Sequence, residues 1–295
     1  MRPFLLPAAL AAAVLATSAY AKAKPEAAPA GPPPAESDWR AVDPENTMVI
    51  DTSQGRLIVE LTPEVAPLMV ERVKLLTRRG FYDGLTFFRV ISDFMAQTGD
   101  PKNTSEGGSE LPDLKGEFNF RRVPAQSSFV AVARQAGGEV GFIGALPVQS
   151  QSSALAAMTA DNKVAAWGLF CPGVLGAART ESPDTGNSQF FLMREAYPSL
   201  DKRYTPFGRV IFGQESVRRI KTGEPVSIPQ DVMTKVRVLA DSAQPKEEID
   251  IAQAREELSK AMAVMQNLQS ATIDPAVALA ETMRAQAKVD AASKK

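Results

Sequence analysis

Phe87-Phe88-Arg89-Val90-Ile91-Ser92-Asp93-Phe94-Met95-Ala96-Gln97-Thr98-Gly99-Asp100-Pro101 is the stretch on which the reading of this chain turns. Its apolar runs read as strands over 86–91 and 94–99, since aromatic and branched residues fill them and turn formers bound them. A period of two puts Met95 and Gln97 on one face of the second strand. Arg89 shares its face with Phe87 and Ile91, and a cation among side chains this apolar needs a reason. Two are open: a surface arginine beside a carboxylate, or a cation at an apolar pocket. The neighbouring Phe94, Met95 and Gln97 favour the pocket.

Outward from this stretch the punctuation stays frequent and the apolar runs short between 47 and 240, as expected of a mainly β domain. Further strands are expected over 47–52, 55–62, 173–179, 188–193, 206–212 and 232–239, with Gln54-Gly55 as the tight turn joining the first two. In 188–193 the alternation sets Gln189 and Phe191 on one face and leaves Phe190 for the core. Two helices interrupt. One covers 66–79, with Val65, Met69, Val73 and Leu76 along one side and Gly80 as its stop; the other covers about 214–221, with Gly223 beyond it. Two helices among eight strands fit a closed antiparallel barrel whose ends need capping. The segment 121–171 breaks the rhythm, with apolar Phe129–Ala133, a turn at Gly137-Gly138 and a helix-like stretch around Ser153–Trp167. It is expected to be an insertion on one barrel edge, not a separate domain.

The two ends of the chain differ from its middle. Residues 1–21 combine Arg2, an apolar alanine-rich run and the small-x-small ending Ala19-Tyr20-Ala21, the pattern of an export signal. Residues 22–45, with Pro32-Pro33-Pro34 and Trp39, read as a Pro/Ala-rich linker. The domain proper is then 46–240. In 241–295 the apolar positions Ile251, Ala254, Leu258, Ala261, Met265 and Leu268 form a narrow helical stripe, and Asp274-Pro275 opens a second helix. Export points to the periplasm, with no membrane span once the signal is removed.

Composition excludes much chemistry. The 295 residues carry 33 Lys+Arg against 34 Asp+Glu, so no strong field invites nucleic acid. There is no histidine, which removes Ser-His-Asp triads and His-ligated zinc together; the single cysteine, Cys171, removes an internal disulfide. Gly107-Gly108 follows no phosphate-binding motif, and the spacing of Asp100, Asp113 and Glu117 fits no calcium loop. No metal and no cofactor are expected.

The quoted stretch resembles the signature of the cyclophilins, the cyclosporin-type peptidyl-prolyl isomerases. Further blocks recur in the family's order: Gly107-Gly108; Ala177-Ala178-Arg179 leading to Asn187-Ser188-Gln189-Phe190-Phe191; Leu200-Asp201 leading to Phe207-Gly208-Arg209-Val210. Ala178-Arg179 and Tyr204-Thr205 are similar to the bacterial branch. The resemblance implies a cyclophilin-like barrel and rotation about X-Pro bonds in proline-containing segments of exported proteins. It implies that Arg89 and Gln97 are catalytic. Phe94, Met95, Phe191 and Leu200 would line the proline pocket, with Tyr204 as an aromatic wall. Gln189 and Ala178 would hold the substrate backbone, and Arg179 would add a positive rim. Tyr204 stands where many members have histidine, Ser199 where eukaryotic members have tryptophan, and Thr98 where a glycine is usual.

The chemistry fits a chain without histidine. Amide rotation faces a barrier of roughly 18–20 kcal/mol, and no bond is broken. Whatever favours the twisted amide over both planar forms lowers that barrier, and twisting leaves a lone pair on the prolyl nitrogen that a guanidinium can bind. The rival expectation is a non-catalytic proline-peptide binder or chaperone scaffold working through the insertion and the C-terminal helices. Clients and oligomeric state are not legible in the sequence.

Overall fold

In the computed structural model, residues 40–135 and 138–242 are described. The expected signal at 1–21, most of the linker 22–45, Gly137 and the helices expected beyond 242 lie outside them. Among the described residues no helix is long and apolar enough to cross a membrane.

Among the described residues thirteen strands form two antiparallel sheets. The larger sheet contains β1 (Thr47–Thr52), β2 (Gly55–Leu61), β3 (Arg89–Val90), β4 (Met95–Thr98), β10 (Val174–Ala177), β11 (Phe190–Met193), β12 (Pro206–Phe212) and β13 (Met233–Val238). Their order is β13-β1-β2-β12-β10-β11-β4-β3. All eight fall within the segments read as strands. The expected closed barrel is corrected: the end strands β13 and β3 do not pair with each other. The cause is that β3 has shrunk to two residues. The backbone around it bonds to the approach to β13, through Phe87 N to Asp231 O at 2.9 Å and the bridges Thr86–Val232 and Val90–Gly223.

The helices α1 (Pro67–Arg78) and α2 (Gln214–Arg219) sit within a residue or two of their expected places. Met69, Val73 and Leu76 of α1 and Val217 of α2 join Leu57, Phe190, Leu192 and Phe207 in the main core. Val65 belongs to a different cluster, so the expected four-residue stripe loses its first member. Helix α1 begins with Pro67 at its first turn, and its free amides at Leu68 and Met69 donate to the two carboxylate oxygens of Glu117 at 3.0 Å each.

The smaller sheet is the insertion. It contains β5 (Phe120–Arg122), β6 (Val130–Gln135), β7 (Gly138–Ile143), β8 (Leu146–Ser150) and β9 (Val164–Gly168), in the order β5-β9-β8-β7-β6. The helix expected around Ser153–Trp167 is a single 3₁₀ stretch, Ser153–Met158, followed by β9. Val164, Ala166 and Gly168 are buried while Ala165 and Trp167 are half-buried, a period of two that wins over the helix-forming alanines before it. This sheet does not extend one edge of the larger one. Leu146, Val148, Ala166 and Phe170 share a second core with Met95, Phe191, Met193 and Leu200, so it covers the face of β4 and β11 opposite the main core.

Candidate active site

Register decides which side chains meet. Gln97 on β4 lies directly opposite Arg89 on β3 and directly opposite Phe191 on β11. Residues paired this way across antiparallel strands project to one face, so the three form a row. The next residues, Ala96 and Phe190, point the other way into the main core. Phe191 needs room: its partner on β10 is Gly176, where a Cβ would come within 2.4 Å of the Phe191 ring and 2.7 Å of Phe170.

The row opens into a pocket of about 200 Å³ lined by Arg89, Phe94, Met95, Gln97, Ala178, Arg179, Phe191, Leu200 and Tyr204. These are nine of the ten residues expected at the site. Phe191 stacks on Phe170 behind it at 5.9 Å and meets Tyr204 edge-on at 5.8 Å. Phe94 is backed by Tyr197 at 4.5 Å. Phe87, expected on the face of Arg89, instead lies in the main core with Val90, because its backbone has already left the ladder.

The tenth residue, Gln189, borders an adjoining groove of about 580 Å³ that shares Arg89, Gln97, Ala178 and Arg179 with the pocket. A chain of hydrogen bonds links the two. Arg89 Nη1 approaches Gln97 Oε1 at 3.4 Å, and Gln97 Nε2 donates to Gln189 Oε1 at 2.9 Å. Gln189 Nε2 donates to the carbonyls of Ser105 and Gly107 at 2.9 and 2.7 Å. Each amide orientation is fixed by its neighbour.

The loop that receives Gln189 is held by Asp100. Its carboxylate accepts from the amides of Lys102, Thr104 and Gly107 at 2.7, 2.9 and 3.2 Å. Burial pushes this carboxyl up, but the backbone donors outweigh it and keep it below the ordinary aspartate value. Gly107 is obligatory, since a Cβ there would fall 1.8 Å from Asp100 Oδ1. Thr98 takes a strand conformation and donates Oγ1 to Thr86 O at 2.9 Å; the left-handed residue is Gly99, at φ +89°.

Arg179 lies over the Tyr204 ring, 4.4 Å from its centroid. Its Nε and Nη2 donate to Arg203 O at 3.1 and 3.0 Å, and Nη1 to Thr180 O at 2.8 Å. It is a fixed wall between pocket and groove. Asp201, beside Leu200, accepts from Phe170 N at 2.9 Å, and burial raises its carboxyl to about 6 against that bond and Lys202.

Both readings of Arg89 hold together. It borders the pocket, and its Nε also donates to the carboxylate of Glu224. Glu224, 135 residues away and outside every motif, escaped the sequence reading, as did the groove residues Ser109, Thr180 and Thr185, while Asp113 was weighed only as a calcium ligand. Asn187 stood in a recognised block; its Oδ1 accepts from Ser109 N at 3.0 Å and its Nδ2 donates to Leu111 O at 2.9 Å.

Comparison with known proteins sets this geometry in context. The family model described as Cyclophilin type peptidyl-prolyl cis-trans isomerase/CLD matches residues 47–255. A probable peptidyl-prolyl cis-trans isomerase of Brucella suis is 32% identical over 194 residues, covering 62% of this chain and 75% of its own. The peptidyl-prolyl cis-trans isomerase CYP18-2 of Arabidopsis thaliana is 28% identical over 195 residues, covering 64% and 92%. Among solved structures, cyclophilin AquaCyp293 from Hirschia baltica matches with a TM-score of 0.65 and 35% identity, over 70% of this chain and 78% of that one.

Proposed function

The chain belongs to the cyclophilin-type peptidyl-prolyl cis-trans isomerases, and from that premise we propose how its residues divide the work and where it acts. The proline ring enters the pocket between Phe94, Met95, Phe191, Leu200 and Tyr204 and is held still. The preceding residue lies toward the groove, where Gln97 holds its carbonyl, and Gln189 and the backbone of Ala178 hold the flanking chain. As the amide twists, its nitrogen becomes a lone-pair acceptor. Arg89 donates to it, always charged and set in a planar fork. Arg179 closes the rim. No nucleophile, metal or cofactor enters the step, since the reaction is rotation alone and the donor acts only where charge develops.

The observation that carries this reading is the row Arg89–Gln97–Phe191, which puts a cation, an amide and an apolar wall side by side by strand register. An acceleration of about a millionfold requires about 8 kcal/mol. One donor supplies part of this, and selective fit to the rotated geometry the rest. The export reading has its own support in the signal pattern of 1–21, the linker 22–45 and the extension 241–295 around a domain at 46–240. The enzyme then works in the periplasm on exported proteins.

The test is NMR exchange on a short Ala-Pro peptide with the intact protein and its Arg89→Ala form. Removing one preorganised donor is expected to slow catalysed exchange by about 100–1000-fold with the thermal midpoint unchanged, because Arg89 is one-third exposed. Fast exchange surviving in the variant would leave the activity standing and sink the mechanism.

A further inference from the structure

Arg89 has three kinds of nitrogen, and they are used differently. Nε donates to Glu224 Oε1 at 2.5 Å, and Nη1 faces Gln97 Oε1 at 3.4 Å. Among the described residues the structure gives Nη2 no acceptor. The fork therefore has a held side and a side left for a substrate.

Backbone pairing explains why the held side is reliable. The segment between α2 and β13 crosses the edge of the large sheet, where Val90 and Gly223 exchange both backbone hydrogen bonds at 2.8 Å. One step back along β3 is Arg89, and one step forward from Gly223 is Glu224, so the two are the next antiparallel pair in register. Val226, buried, follows and donates its amide to Phe88 O at 2.9 Å, pinning the segment on the other side of Glu224. The carboxylate thus rides on a backbone fastened to the strand that carries the arginine. Glu224 itself is 57% exposed and fills no core position.

We propose that Glu224 is a positioning residue for the isomerase step: its carboxylate fixes the plane of the Arg89 guanidinium so that the Nη groups point into the proline pocket. This rests on the role given to Arg89 above. An unrestrained arginine samples many rotamers, and few place a donor at the prolyl nitrogen. Glu224 supplies the order that makes one arrangement dominant. Its contribution should appear in turnover, because the proline ring is bound by the apolar wall, which Glu224 does not touch.

The experiment is a double-mutant cycle of Glu224→Ala and Arg89→Ala in the full chain, with Glu224→Gln as the conservative control and peptide exchange rates giving kcat and KM separately. Glu224→Ala should lower kcat by about tenfold with KM within about twofold, and an unchanged thermal midpoint should show that the fold is intact. Glu224→Gln keeps an acceptor for Nε and should recover most of the rate. In the Arg89→Ala background, Glu224→Ala should add nothing. The Arg89 Nε–H resonance, identified by its loss in Arg89→Ala, should persist in Glu224→Gln and broaden away in Glu224→Ala. Glu224→Ala with wild-type or higher kcat, a change in KM alone, or an equal loss in the Arg89→Ala background would each overturn the proposal while leaving Arg89's role intact. Arg89→Ala with wild-type kcat would overturn both.

Discussion

Both sheets carry arginines on their strands, and two of these, one from each sheet, behave in opposite ways. Arg89, on the large sheet, is 33% exposed, borders a pocket and keeps a nitrogen without an acceptor among the described residues. Arg122, on the inserted sheet, is 2% exposed, and its partner Glu139 is 8% exposed. Arg122 Nε donates to Ser150 Oγ at 2.8 Å, and Nη2 donates to Glu139 Oε2 at 3.1 Å and Ser153 Oγ at 2.8 Å; the group also lies 4.2 Å from the Phe129 ring centroid. One guanidinium is offered outward and the other is consumed inside. A charged residue on a strand signals chemistry only when some of its hydrogen-bonding capacity is left over. Burial and partners settle that, and residue type does not.

The sharpest way to break this contrast is to remove Glu139. Glu139→Ala leaves the Arg122 guanidinium buried without its counter-charge, an uncompensated cost of about 3–5 kcal/mol. The denaturant midpoint should fall accordingly, and amide protons of β7 and β8 should lose protection before those of β11 and β12. Proline-peptide turnover under native conditions should survive, since no residue of that pair touches the pocket. If both sheets lose protection together, they form one cooperative unit and the division into a catalytic and a structural region fails.

The same contrast explains what could be read in advance. The eight strands of the large sheet were legible because short runs rich in branched and aromatic residues are set off by turn formers such as Gly55, Ser92-Asp93, Gly99 and Gly213. That Arg89, Gln97 and Phe191 share one site followed from period two within each strand, together with the roles the family resemblance implied; the register that sets them in a row is visible only in the structure. Closure is not legible in the sequence because it depends on how the short β3 meets the approach to β13, and strand propensity is silent on pairing partners. The inserted sheet was obscured by its own composition. Ala154, Ala156 and Ala157 favour helix locally, while Gly141 and Pro147 sit inside strands and hide them. Glu224 was invisible for a different reason: its meaning comes only from the Val90–Gly223 bridge.

A smaller effect tests the seam where the regions meet. Asp201 follows Leu200 of the pocket and binds the amide of Phe170, which closes the insertion. Burial holds its carboxyl at about 6 in the folded protein, above its ordinary value of 3.8. The native state therefore binds this proton more tightly than the unfolded state does. The stability it confers is complete below about pH 3.8 and is lost as pH rises through about 6. Asp201→Asn keeps an acceptor for Phe170 N and removes the charge. At pH 7 it should be more stable than the parent by about 1 kcal/mol, a figure already reduced for solvent screening, and the gain should vanish by pH 4. Thermal midpoints of the two proteins across that range decide it; a gain that does not change with pH would show that Asp201 is not the titrating group.

The smallest effect is expected at the outer contact of the same seam. Lys202 Nζ lies 3.6 Å from the centroid of Trp167 on β9, so a cation–π contact ties the inserted sheet to the turn that carries Leu200 and Tyr204. At a partly exposed site such a contact contributes about 0.5–1 kcal/mol. Trp167→Ala releases the turn without touching any pocket residue, so the proline ring should meet a less ordered wall. KM for a proline peptide should rise by about two- to threefold with kcat unchanged, because Arg89 is held independently by Glu224 at the other side of the pocket. A fall in kcat instead would mean that motion of this wall reaches the donor, and the inserted sheet would then belong to the catalytic apparatus. An unchanged KM would mean that the hydrogen bonds of the seam, Phe170 N to Asp201 and Tyr197 N to Phe170 O, hold the turn by themselves.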